Sequence, residues 1–385
     1  MRSSGTASDF SQYEPRQDLL EKLRLMPWGF VLLVFILSLA GVVLLYSAGG
    51  ASWEPWAMTH MLRGIAGFAL MIGIALTDIR FFYRWGWIGY GFLMLLLLAV
   101  FVMGHTGMGA KRWLNFGAFV LQPSEHMKIM LAIVLARYFH GLSYEKVGNP
   151  LRLLLPLGLV VVPCGLILIQ PNLGTAALTL LLAASMFYLA GVRWWKFAAI
   201  AAALPFAGYY AWSHLHDYQK KRLTTFLDPE QDPLGSGYNI IQSKIALGSG
   251  GLYGKGFAMG TQSQLNFLPE KHTDFIFVVL AEEFGLIGAG IVLLLFFVLI
   301  AYGFIISLHA QNQFSRLLGL GLTTSIFLYM LTNIAMVAGL IPIVGIPLPL
   351  ISYGGSVMLA FYITCGLLLS IAIHKNSRLD YNKPN

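Results

Sequence analysis

Apolar residues in this chain gather in long unbroken stretches instead of alternating with polar ones. Ten stretches, at 27–47, 58–77, 85–104, 125–141, 152–170, 172–191, 196–214, 274–308, 314–340 and 355–374, are long enough to cross a bilayer as helices. The pattern predicts an all-α fold, a polytopic membrane protein of about ten transmembrane helices with one long loop at 215–273. The transmembrane domain is 27–374, flanked by polar tails at 1–26 and 375–385. The eighth and ninth stretches exceed a bilayer's thickness, so they must tilt, kink or project into water. The fourth is marginal, because it carries Glu125, Lys128 and Arg137. The fifth and sixth meet at Pro171 and Asn172, which predicts a tight re-entrant corner.

Composition agrees with that pattern. Of 385 residues, 57% are apolar and 11% charged, against roughly 25% charged in soluble domains. A soluble enzyme, a disordered chain and a disulfide scaffold are thereby excluded. Cys164 and Cys365 both fall in apolar stretches and read as small hydrophobes. The polar first 26 residues predict no cleavable signal peptide. A net charge of +8 spread along the chain argues against a nucleic-acid partner.

Lysine and arginine set the expected direction. They concentrate in the two tails and the even-numbered loops, whereas the short odd-numbered loops hold only Lys111 and Arg112. Both termini are therefore expected in the cytoplasm and the loop 215–273 outside. Within 16–26, Leu19, Leu20 and Leu23 stand at helical spacing among charges, which fits an interfacial helix or an ordinary juxtamembrane tail equally well. No internal repeat marks an inverted-repeat transporter.

Charges inside a bilayer need partners or a wet cavity. Arg63 lies one turn from the outer end of the second stretch. Glu125 and Lys128, three residues apart, share a helix face and are either a buried ion pair or part of an anion-receiving cavity. Arg63, Lys111, Arg112 and Lys128 all map to the outer half. In the long loop, Lys220, Lys221 and Arg222 form a basic cluster. Residues 238–247 repeat Tyr238, Ile241 and Ile245 helically with Lys244 on another side, a segment suited to the membrane surface or to the bundle. GSGGLYGKGF at 248–257 suits either a phosphate cradle or plain turns. Asp274, beside His272 and Thr273, stands at the outer mouth of the eighth stretch, as a general base or as part of a helix cap. Glu282 and Glu283 lie deeper, where at least one should bond to a neighbouring helix. In 340–356, Pro342, Pro347 and Pro349 interrupt helix, so that Ser352, Tyr353 and Ser356 are presented at the outer face or sit in a rigid turn.

RWLNFGAFVLQPSEHMK (112–128), QPNLGTA (170–176), GYNIIQSKIALGSGGLYGKGF (237–257), LPEKHTDFIF (268–277) and Asn333 followed by GLIPIVGIPLPLISYGGS (339–356) are long motifs in fixed order. Together they resemble the SEDS family (shape, elongation, division and sporulation), in wording closest to its elongation branch. The resemblance implies a ten-helix peptidoglycan glycosyltransferase that polymerises lipid II at the outer face of the bacterial plasma membrane. It implies a class B penicillin-binding protein and the wider elongation machinery as partners. It also places the family's essential aspartate on Asp274 and its functional glutamate and lysine on Glu125 and Lys128. Asn172 replaces a usual aspartate, His126 a usual apolar residue and Val357 a usual small one.

The chemistry expected is one inverting displacement. Asp274 would take the proton of the acceptor 4-hydroxyl as its oxygen attacks the donor's anomeric carbon. Arg63, Lys111, Arg112 and Lys128 would steady the departing undecaprenyl pyrophosphate, with Glu125 holding Lys128. Lys244, Ser352, Tyr353 and Ser356 complete the expected substrate contacts. No metal-ligand cluster is present in the sequence; a divalent cation, magnesium or manganese, would lean on the substrate's phosphates. The competing functions are a flippase for lipid-linked precursors, which should line both leaflets, and a silent scaffold for a penicillin-binding protein.

Overall fold

The computed structural model describes residues 18–107, 110–117, 120–213, 220, 224–228, 236–265, 267–268, 270–377 and 379. Expectations for both tails' far ends, for Lys221 and Arg222, and for 229–235 fall outside these. Among the described residues, ten long helices match the ten apolar stretches. They are α2 (Trp28–Ala48), α3 (Met58–Leu76), α4 (Ile79–Met103), α5 (Pro123–His140), α7 (Pro150–Ile169), α8 (Leu173–Leu189), α9 (Trp194–Trp212), α12 (Ile276–Leu308), α13 (Gln313–Val337) and α14 (Gly355–Ile373). Shorter helices are α1 (Leu19–Leu25), α6 (Tyr144–Val147), α10 (Ser236–Ser249) and α11 (Thr261–Gln264). Seven of the long helices are apolar and long enough on their own to cross a membrane. Of the others, α5 carries Glu125, Lys128 and Arg137, and α8 has only 17 residues. The chain is a multi-pass helical membrane protein.

One feature absent from the all-α expectation is a small antiparallel sheet, β1 (His105–Gly107), β2 (Ala110–Asn115) and β3 (Val120–Leu121), between α4 and α5. It gives the backbone of that connection hydrogen-bond partners.

The last helix is the hub. Of α14's most apolar stretch 83% is buried, against 28% for α4, which faces outward. Its main partner is α3, where Gly67 allows the two backbones to approach: a Cβ there would come within 2.1 Å of the Tyr362 ring. α12 packs on α13 and α2, and α13 packs on α5 and α8. α10 settles on the bundle, touching α12 and α13, and Ser243 donates to the Val337 carbonyl at 3.1 Å.

The expected irregularity of the eighth span is a break at Gly285, whose φ of 65° and ψ of −164° suit only glycine. The glycine-rich loop fills this break and is not free to cradle a phosphate. Lys255 and Gly256 N–H donate to the Glu282 and Glu283 carbonyls at 3.0 Å each, and Leu286 and Ile287 N–H donate to Gly251 and Leu252. The helix ladder is interrupted, yet these backbone groups are paired. Residues 276–283 are buried in protein, and exposed apolar side chains begin at Leu286 and Ile287.

Candidate active site

The start of α5 has no room for an isolated charge. Glu125 and Lys128 are 4% and 3% exposed, with Lys128 Nζ 3.0 Å from Glu125 Oε2. Tyr329 of α13 donates to Glu125 and accepts from Lys128, and Thr175 of α8 donates to Glu125 at 3.2 Å. The structure reverses the expected order of this pair. Glu125 lines a cavity of about 760 Å³ and Lys128 does not. Lys128 is therefore the support behind Glu125, because its ammonium is consumed by Glu125 and Tyr329.

The cavity brings together segments far apart in sequence: Arg63 of α3, Arg112 and Trp113 of β2, Glu125, Asn172 and Thr175, Glu270 with Thr273, Asp274 and Phe275, Tyr329, the loop 343–347 and the start of α14. Arg112 reaches over the α7–α8 corner, donating to the Gln170 carbonyl at 3.3 Å and to that of Pro171. Asn172, placed where charge was in question, caps α8 by accepting from Thr175 N–H at 3.4 Å. A neutral amide serves that role as well as a carboxylate does. Arg63 stacks on Tyr353, its guanidinium 4.9 Å from the ring centroid. Behind Tyr353 stands Trp56, edge-on at 4.9 Å, and His272 stacks on Trp56 at 4.1 Å. Burial lowers the His272 pKa from its ordinary value, only partly opposed by Glu270, so the ring is neutral at pH 7.

Asp274 lines the cavity two residues ahead of α12. Phe275 occupies the cap position of that helix. Asp274's carbonyl accepts from Asn333 of α13 at 2.8 Å. Ser356 ties the start of α14 to the sheet, accepting from Gln122 N–H at 3.0 Å and donating to the Val120 carbonyl at 2.9 Å.

Of the residues singled out from sequence, Arg63, Arg112, Glu125, Asp274, Tyr353 and Ser356 line the cavity. Lys111, Lys244 and Ser352 stand off it, as Lys128 does. Lys111 is exposed on β2, one position from Arg112 and hence on the opposite strand face. The Lys244 stem lies against Gly339. Ser352 is buried, accepting from Leu348 N–H at 2.8 Å to close its own turn. Glu282 and Glu283 also serve packing. Glu282 pairs with Lys255 at 2.8 Å and accepts two backbone N–H groups, and Glu283 accepts from Ser47 of α2 at 2.5 Å. Sequence reasoning missed Tyr329, Thr175, Trp56 and Glu270 as parts of the site. Tyr329, four residues before Asn333 in an apolar helix, was the available signal.

The sequence model of the FtsW/RodA/SpoVE cell cycle proteins matches residues 21–377. The chain is 40% identical to the peptidoglycan glycosyltransferase MrdB of Escherichia coli K12, covering 92% of this chain and 95% of that one. It is 33% identical to the stage V sporulation protein E of Bacillus subtilis, over 89% and 95%. Among solved structures, a chain described under "Structural coordination of polymerization and crosslinking by a peptidoglycan synthase complex" superposes with a TM-score of 0.79 at 28% identity, covering 93% of this chain and 99% of that one. The rod shape determining protein RodA of Thermus thermophilus superposes with a TM-score of 0.67 at 26% identity, over 92% and 98%.

Proposed function

The chain belongs to the FtsW/RodA/SpoVE family of cell cycle proteins and is a peptidoglycan glycosyltransferase, and from that premise we propose that its cavity polymerises lipid II at the outer face of the plasma membrane, with Asp274 as general base. The observation that carries this reading is convergence: Asp274, at the mouth of α12, shares a single cavity with Arg63 and Arg112. In the reaction, the acceptor sugar's 4-hydroxyl gives its proton to Asp274 as its oxygen bonds to the donor's anomeric carbon. The bond from that carbon to undecaprenyl pyrophosphate breaks, and the leaving diphosphate takes the electron pair. General-base assistance is worth about 10²–10⁴-fold. Cations preset where the diphosphate's charge develops lower the barrier further, a role for Arg63 and Arg112.

Among the described residues, no three His, Cys, Asp or Glu side chains gather as a metal-ligand set. A divalent cation, magnesium or manganese, would travel on the substrate's own phosphate oxygens. The positive-inside bias of the loops supports cytoplasmic termini and an external cavity. Most of the helical wall of the cavity comes from the first turns of α3, α5, α8 and α14, helices that the alternating topology starts at one face, whereas a flippase needs a lined path through both leaflets. The partner is a class B penicillin-binding protein within the elongation machinery, a reading supported by the synthase complex among the structural neighbours. The test is product analysis: the purified chain reconstituted with that partner and labelled lipid II should yield glycan polymer. Lipid II moved between leaflets without polymer formation would overturn the proposal.

A further inference from the structure

Asn333 sits on α13 with no exposed surface, one turn beyond Tyr329. Its amide nitrogen donates at 2.8 Å to the Asp274 carbonyl and at 2.7 Å to the Ile346 carbonyl. The two acceptors lie in non-helical backbone on two different walls of the cavity, one just ahead of α12 and one in the proline-rich loop before α14. Neither carbonyl has a helix ladder to join, so each needs a donor from elsewhere. The amide orientation follows from this chemistry, since the reverse would press an oxygen against two carbonyl oxygens. Asn333 Oδ1 then has no partner among the described residues. An unpaired buried amide oxygen is unfavourable by itself, and the two bonds on the nitrogen are what offset it here.

The loop passes close to the carboxylate that Asn333 helps to hold. Gly345, at a φ of +70°, leads into Ile346, and a Cβ added there would lie 3.4 Å from Asp274 Oδ2. Asn333 itself does not line the cavity, so it is not placed to touch substrate. We propose that Asn333 is a positioning residue for the transfer step: it cross-braces the two walls and so fixes the Asp274 carboxylate relative to the loop 343–347. The inference rests on the reading of Asp274 as the general base.

The test uses the full chain with its class B partner and labelled lipid II, with rates expressed per folded complex. Asn333→Leu keeps the branched skeleton, though with bulkier ends, and removes both donors. Asn333→Asp keeps the shape and faces both carbonyls with an acceptor. Each should lower kcat by about 10–100-fold, the scale of a misplaced reacting group, with KM for lipid II within threefold of the parent. Asn333→Ser keeps a single donor and should fall between; it decides the matter if neither larger change folds. A kcat per folded complex within twofold of the parent would overturn the proposal, as would a loss expressed in KM alone. Asp274→Asn is measured alongside. If that variant polymerises at the parental rate, the general-base reading falls and this inference with it. If only the Asn333 variants are unaffected, the base assignment stands and the bracing role is refuted.

Discussion

Replacing both members of the Glu125–Lys128 pair should destabilise the protein by much less than the sum of the two single replacements. The two groups are almost fully buried and 3.0 Å apart. At an effective dielectric of 20, that separation gives an attraction of about 5 kcal/mol, set against a desolvation penalty of several kcal/mol per ion. The net contribution of the intact pair is consequently small, but an orphaned charge is not. Glu125→Gln leaves the Lys128 ammonium facing Tyr329 alone and should cost about 4 kcal/mol, within the range for broken buried pairs. Lys128→Met leaves Glu125 with the hydroxyl donors of Tyr329 and Thr175 and access to the cavity, so about 3 kcal/mol is expected. In the double variant the Gln amide can bond to the same hydroxyls and Met fills the volume, for a cost of about 2–3 kcal/mol. The coupling is then roughly 4–5 kcal/mol, well above the ~0.5 kcal/mol scatter of independent sites. Unfolding free energies of all four proteins in mixed micelles supply the cycle. If the double variant loses the sum of the single losses, the two charges are not a coupled support and the description of this wall is wrong.

Arg63→Gln and Arg112→Gln should each lower polymerisation by about 10–100-fold through loss of charge opposite the leaving diphosphate, read as kcat on labelled lipid II; parental kcat in both would remove these guanidinium groups from the proposal. Gly285→Ala should be strongly destabilising, because the added Cβ would stand 2.4 Å from Gly254 N and 2.5 Å from the Leu252 carbonyl oxygen in a backbone conformation that L residues avoid; a thermal midpoint equal to the parent's would show that the break is not tightly closed. Because burial depresses the His272 pKa, the unfolded chain takes up this proton before the folded one. The contribution of neutral His272 is present above pH 6.5 and is lost as pH falls below that toward the folded value. His272→Phe, which keeps a ring against Trp56, should therefore flatten the acid side of the midpoint-versus-pH curve, and an unchanged slope would refute the assignment.

The helices were legible because their signal is local: a run of apolar side chains needs no knowledge of its neighbours. The pairing of Glu125 with Lys128 was legible for the same reason, being a matter of spacing on one helix. The sheet at 105–121 was not, since its strands are only two to six residues long, too short for alternation to register. The break at Gly285 was hidden in GLIGAG, where glycine also serves close helix packing. Direction was lost most often. Lys111 and Arg112 are adjacent in sequence, and strand geometry sends only one of them to the cavity. Glu125 and Lys128 share a face, yet it takes the positions of Tyr329 and Thr175 to show which of the two fronts the cavity. Asn333 was visible only as part of a motif, because its partners lie 59 and 13 residues away.

Replacing a single oxygen by NH2 reaches the root of the mechanism. Asp274→Asn keeps the size and the backbone contact with Asn333 while removing the proton acceptor. In the reconstituted pair with labelled lipid II, glycan formation should fall by about 10²–10⁴-fold, with folding, partner assembly and lipid II binding retained. Polymerisation at the parental rate by that variant would contradict the account.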